Sequence, residues 1–206
     1  MGTAALTPEI EAPVLRRIDV DFMYLDLNTC SRCKGTDANL DAALAEVSRI
    51  LGTAGAEVSV YKTLIASEEQ ARAHRFFSSP TIRVNGNDIA LEFRENRCRD
   101  CEECACNGAI DCRVWVWQGH EYEEAPVAMI VDAVLREVYG GSPPLAVEPA
   151  QIAGVPDNLK RFFAGTAQLG AASASCCEPS EQAACCEPAA KASCCGETSA
   201  ESCGCR

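Results

Sequence analysis

Apolar and polar residues follow two different periods along the first part of the chain, and the switches between them mark out elements. IDVDFMYLDL (18–27) is apolar nearly throughout its middle, which predicts a central strand covered on both faces. TDANLDAALAEVSRIL (36–51) carries Leu40, Ala43, Leu44, Val47 and Leu51 at helical spacing. EVSVYKTLI (57–65) alternates like a strand. SEEQARAHRFF (67–77) opens with Ser67 and Gln70 three apart, the spacing of a capping box, and predicts a helix. TIRVNGNDIALEF (81–93) reads as two short β runs joined at Asn85-Gly86, a hairpin signal. CRVWVWQGHEYEE (112–124) predicts a further β segment turning at Gln118-Gly119.

PVAMIVDAVLREVYG (126–140) predicts a helix that starts at Pro126, buries Val127, Ile130, Val131, Val134 and Val138, and stops at Gly140. The order β-α-β-α-β-β-(β)-α implies an α/β domain over about 13–139, a mixed sheet flanked by helices.

Beyond Tyr139 the pattern fades. GGSPPLAVEPAQIAGVP (140–156) is rich in Pro and Gly and reads as a linker. DNLKRFFAGTAQL (157–169) predicts a short amphipathic helix with Leu159, Phe162 and Phe163 on one side, able to dock on the domain. From Gly170 onward the chain holds no Leu, Ile, Val, Met or aromatic residue. Such a segment cannot offset its ordering entropy by burial, so 170–206 is expected to be a disordered tail. The tail is also a repeat. CCEPSEQAA, CCEPAAKAS and CCGETSAES follow at a period of nine, and CGC closes the series.

Cysteine dominates the composition, with 15 in 206 residues against 2 histidines. The net charge of −12 has the wrong sign for a phosphate backbone or an anionic membrane surface, so neither is an expected partner. No run of about 18 apolar residues predicts a membrane span, and the start of the chain lacks the basic and apolar regions of a secretory signal. A cytoplasmic location is therefore expected, where thiols stay reduced. An odd count also forbids complete internal disulfide pairing.

Cys30-Ser31-Arg32-Cys33 lies between the first strand and the first helix. A thiolate at Cys30 would sit at the positive end of that helix, with Arg32 as a local cation and Cys33 one turn away as the resolving thiol. Gly35 is expected to delay the helix until Thr36 caps it, which would weaken that effect. Ser78-Ser79-Pro80-Thr81 precedes a β run, and a cis Pro80 would set the Ser79 backbone beside the Cys pair, free to bond an extended substrate.

Strand, C-x-x-C, helix, strand, helix and SSPTIRVNG resemble a thioredoxin or glutaredoxin fold with Pro80 as its cis proline. VDFMYLDLNTCSRCKGTDANL, SSPTIRVNGNDI and CRVWVW more closely resemble an uncharacterised bacterial family of thioredoxin-like proteins, a domain of unknown function, over roughly 18–139. The resemblance implies a fold, a redox pair at Cys30 and Cys33, and a substrate-side element at Pro80. Ser31-Arg32 departs from the usual Gly-Pro or Pro-Tyr, and a cysteine-rich loop is foreign to thioredoxin.

That loop holds Cys98, Cys101, Cys104, Cys106 and Cys112. Four thiolates suit Zn²⁺, and the spacing fits neither common iron–sulfur pattern. One of these thiols could instead resolve a disulfide at Cys30, or all could be idle. The tail supplies Cys176, Cys177, Cys185, Cys186, Cys194, Cys195, Cys203 and Cys205. Adjacent cysteines pair poorly with each other but chelate soft ions such as As(III), Hg²⁺ or Cu⁺. His74, His120, Trp115 and Trp117 read as surface or packing residues.

Two functions are expected. The first is a thiol–disulfide oxidoreductase or thiol-transfer protein linked to soft metal or metalloid handling, its partner a thiol, a disulfide or a soft ion. The alternative is a non-catalytic metal-binding chaperone or scavenger on a thioredoxin-like frame.

Overall fold

The computed structural model describes residues 16–98, 110–140 and 154–173. Cys101, Cys104, Cys106 and the eight cysteines of the repeat lie outside them. Eleven elements follow in order: β1 (Arg16–Tyr24), α1 (Ser31–Thr53), β2 (Ala56–Leu64), α2 (Glu68–Ala73), β3 (Thr81–Val84), β4 (Asn87–Asp88), β5 (Arg94–Arg97), β6 (Asp111–Trp117), β7 (His120–Tyr122), α3 (Val127–Tyr139) and α4 (Asp157–Ser173).

β1 is central because it can be covered on both faces. It pairs parallel with β2 and antiparallel with β3, and the sheet runs β2-β1-β3-β4. Alternation sends Ile18, Val20 and Phe22 to one face, where Leu40, Ala43, Val47 and Leu51 of α1 meet Met129, Ile130 and Val134 of α3. Met23 belongs to the opposite face, with Ile65, Ala71 and Phe76. Each such fully buried side chain stabilises the fold by ~1.5–3 kcal/mol.

α4 closes that second core with Leu159 and Phe163, so the helix expected to dock does so. It also runs longer than expected, through Gly170 to Ser173; the two alanines at 171–172 are the strongest helix formers and carry it past the glycine.

A second antiparallel sheet, β5-β6-β7, adds a strand to the β segment expected at 112–124. β5 reads RENR and has no apolar alternation; its strand character comes from pairing with β6. The expected turns are present, with positive φ at Asn85-Gly86 and at Gln118-Gly119. α2 stops earlier than expected, at Ala73, and Arg75 follows with positive φ. α1 starts earlier, at Ser31, because the Cys30 sulfur accepts the Cys33 N–H and caps it. Gly35 therefore lies inside the helix, and Thr36 is not its cap but a buried residue whose hydroxyl accepts the Ala125 N–H. Among the described residues no helix is long and apolar enough to cross a membrane.

A candidate thiol centre

The junction of β1 and α1 is organised by local polar contacts. Asp26 accepts the backbone N–H groups of Asn28 and Thr29 and the Thr29 hydroxyl, which turns the chain into the helix. This delivers Cys30 to the N-cap and Cys33 one turn later. Cys33 N donates to Cys30 Sγ at 3.4 Å. The Ser79–Pro80 bond is cis, and Ser79 Oγ lies 3.4 Å from Cys33 Sγ while accepting the Leu25 N–H.

The small sheet supplies two more sulfurs. Cys98 N donates to the Ile110 carbonyl, extending the β5–β6 ladder beyond its last strand residue. Cys98, Ile110 and Cys112 then form one buried cluster with Cys30 and Cys33, and Tyr24, Leu27 and Phe162 pack around it. The sulfurs of Cys30, Cys98 and Cys112 lie within 4.8 Å of one another. All four described cysteines of the cluster are free thiols, and Cys30 retains the most exposure, at 4%.

Arg32 ties the two halves together. It is buried, and its guanidinium donates to Asn96 Oδ1 at 2.6 Å, to the Arg97 carbonyl and to Glu123 Oε1 at 2.7 Å. The cation is thus engaged by β5 and by the segment after β7. It staples the small sheet over the Cys pair. Sequence reasoning missed Asn96 and Glu123, which carry no motif.

β6 is anchored on both sides of Cys112. Arg113 N donates to the Ser79 carbonyl at 2.8 Å, so that carbonyl is not free for an extended substrate as expected. Asn158 of α4 accepts from Asp111 N at 3.0 Å and donates to the Asp111 carbonyl at 2.6 Å, imitating a paired strand. Nothing in a lone Asn within a polar first turn marks it as a strand partner.

The thiols influence one another's acidity. For Cys30, the facing Cys112 thiol draws the pKa down, but Cys33, Cys98 and burial outweigh it and hold Cys30 above the ordinary thiol range. For Cys33, the contact with Cys30 favours the thiolate and prevails over burial; the Ser79 hydroxyl and the N–H groups of Asp26 and Leu25 add to it, so its pKa is lowered. Cys30 occupies the helix seat, yet the more acidic partner is Cys33.

Three sulfurs sharing one ion at a metal–sulfur distance of about 2.3 Å stand roughly 3.8–4.0 Å apart. The spacing of Cys30, Cys98 and Cys112 is within a small side-chain adjustment of that. Cys33 faces Ser79 and stands outside the trio. Trp115 is buried in the main core, and His74 and His120 are exposed; none adds a ligand to the cluster.

Set against known proteins, the chain matches no curated protein and no solved structure. One family model, described as a domain of unknown function (DUF2703), matches residues 18–134.

Proposed function

Because the chain belongs to the DUF2703 family, whose description assigns no activity, we propose a function from the site alone: the protein holds a soft, thiophilic ion between Cys30, Cys98 and Cys112. The observation that carries this is the convergence of three buried sulfurs, from two sequence-distant groups, within 4.8 Å. Three thiolates that, among the described residues, gather no carboxylate or imidazole into the cluster suit As(III), Hg²⁺ or Cu⁺ better than harder cations. Zn²⁺ would need a fourth ligand beyond the trio. Burial excludes water from competing for the ion. The adjacent-cysteine repeat then serves as a first collector that raises the local thiol concentration. A reducing, cytoplasmic setting fits free thiols in this number.

The test uses the full-length chain with its eight repeat cysteines changed to serine, reduced and kept anaerobic. Arsenite titration is expected to bind one equivalent with a near-ultraviolet sulfur–arsenic absorption. Cys98→Ala should abolish it. A folded protein that takes up no arsenite defeats the proposal.

A second reading is thiol–disulfide exchange at Cys30 and Cys33 on a thioredoxin-like frame. It is favoured by the Cys pair at the helix start, with the Ser79 hydroxyl 3.4 Å from Cys33 Sγ. Arg32 and Pro80 would then be positioning residues. Reduction of a small disulfide by the parent, lost in Cys30→Ser, is the expected result; no activity in the parent ends this reading.

A further inference from the structure

We infer that Cys112 is an internal exchange partner of Cys30, so that the chain's own β6 occupies the place beside the Cys pair where a foreign thiol would otherwise approach. This deepens the exchange reading and rests on it for the reactivity of Cys30; it requires no bound ion.

The first argument is anchorage. The residue after Cys112 bonds through its backbone to Ser79, immediately before cis Pro80, and its guanidinium reaches Asp88 at 2.8 Å. The residue before Cys112 has both backbone groups taken by Asn158. Cys112 is thereby fixed between two held neighbours, and strand alternation turns its side chain away from those of Asp111 and Arg113 and toward the thiol cluster.

The second argument is distance. The Cys30 and Cys112 sulfurs are already within 4.8 Å, and a disulfide brings them to about 2.0 Å. Cys98 is equally near, its N–H held by the Ile110 carbonyl, and the disulfide map below distinguishes the two.

The third is the presence of a resolving thiol. Cys33 is one helical turn from Cys30, with its N–H already on the Cys30 sulfur.

The chemistry balances with a small disulfide, RSSR, as oxidant. Cys30 gives its proton to the adjacent Cys33 thiolate and attacks RSSR, forming Cys30–S–S–R and releasing RS⁻, which takes the Cys112 proton. Cys112 as thiolate attacks the Cys30 sulfur, forming Cys30–S–S–Cys112 and releasing a second RS⁻, which takes the proton back from Cys33. Cys33 as thiolate then attacks Cys30, forming Cys30–S–S–Cys33 and freeing Cys112 as thiolate. The oxidant is reduced to two RSH; the last step moves the disulfide without net oxidation. Access to Cys30 requires only local opening of its cover.

The experiment treats the reduced full-length chain with oxidised glutathione, quenches with an alkylating reagent and maps disulfides by mass spectrometry. The parent is expected to yield Cys30–Cys33, with Cys30–Cys112 present at early times. Cys33→Ala should accumulate Cys30–Cys112, and Cys112→Ala should lose that cross-link entirely. If Cys33→Ala holds Cys30 only as a glutathione adduct, or joined to Cys98 or a repeat cysteine, the inference is overturned while exchange at Cys30 stands. If no disulfide forms at Cys30 in the parent, both fall. Should Cys33→Ala not fold, the early time points of the parent decide: absence of Cys30–Cys112 there overturns the inference.

Discussion

The two faces of the β5–β6 ribbon bury opposite kinds of chemistry. One face carries Cys98, Ile110 and Cys112 against Cys30. The other carries Glu95 and Arg113, with Asp88 paired to the Arg113 guanidinium and Phe93 and Trp115 beneath it. The sulfur face is soft: a thiol packs as a small hydrophobe and tolerates replacement. The polar face instead holds an ion pair, Asp88 with the buried Arg113 guanidinium, and removing one partner strands the other. A site proposed to hold an ion or exchange a disulfide is thus backed by a ribbon whose reverse side depends on a buried ion pair.

The largest way to break that contrast is Asp88→Ala. It strips the buried Arg113 of its carboxylate and removes the acceptor for Ala90 N. Chemical denaturation should show a loss of about 3 kcal/mol, as expected when one partner of a buried pair is removed. On the sulfur face, Cys98→Val should change stability by no more than ~1 kcal/mol while ending ion uptake. Equal losses from the two variants would erase the distinction between the faces.

A finer probe is Glu95→Gln. Burial raises the Glu95 pKa, with Asp111 adding to it against the opposing influence of Ser78, Arg113 and Asn158. The folded state therefore holds that proton to higher pH than the unfolded chain does. Stability contributed at low pH is lost as pH rises through the folded pKa. Glu95→Gln should raise Tm near pH 8 and leave it almost unchanged near pH 4. The reverse pattern would mean that Glu95 is stabilised as a carboxylate.

The smallest effect is expected from Gly35→Ala, away from both faces. Alanine is favoured over glycine in a helix by about 1 kcal/mol. Its Cβ would press on the Glu124 carboxylate, and that flexible end must swing aside. The two effects offset, and Tm should move by only a degree or two, as for about 0.3 kcal/mol in a domain of this size.

Long periodic segments were legible. The β1 run, the stripe of α1 and the apolar face of α3 each declare their partner by spacing, and the glycines at 86 and 119 declare their turns. β5 was not, because Arg94–Arg97 has no side-chain pattern and exists through its bonds to β6. The Cys30–Cys33 pair was legible as a candidate site from its place between strand and helix. The joining of Cys30 to Cys98 and Cys112 was legible only as one option, a loop thiol resolving Cys30, since spacing along the chain does not show which of the five loop cysteines lies near it. What brings the sulfurs together is Arg32 reaching β5 and Arg113 reaching Ser79. These are tertiary bonds with no local signature.

Asp157–Ser173 lies wholly past the stretch that the family model matches, yet Phe162 covers the thiols and Asn158 grips β6. A fragment cut at the family boundary would be missing its roof. Its cysteines would meet reagents that the intact protein keeps out, and reactivities measured on such a piece would describe a wound in the molecule, not its working surface.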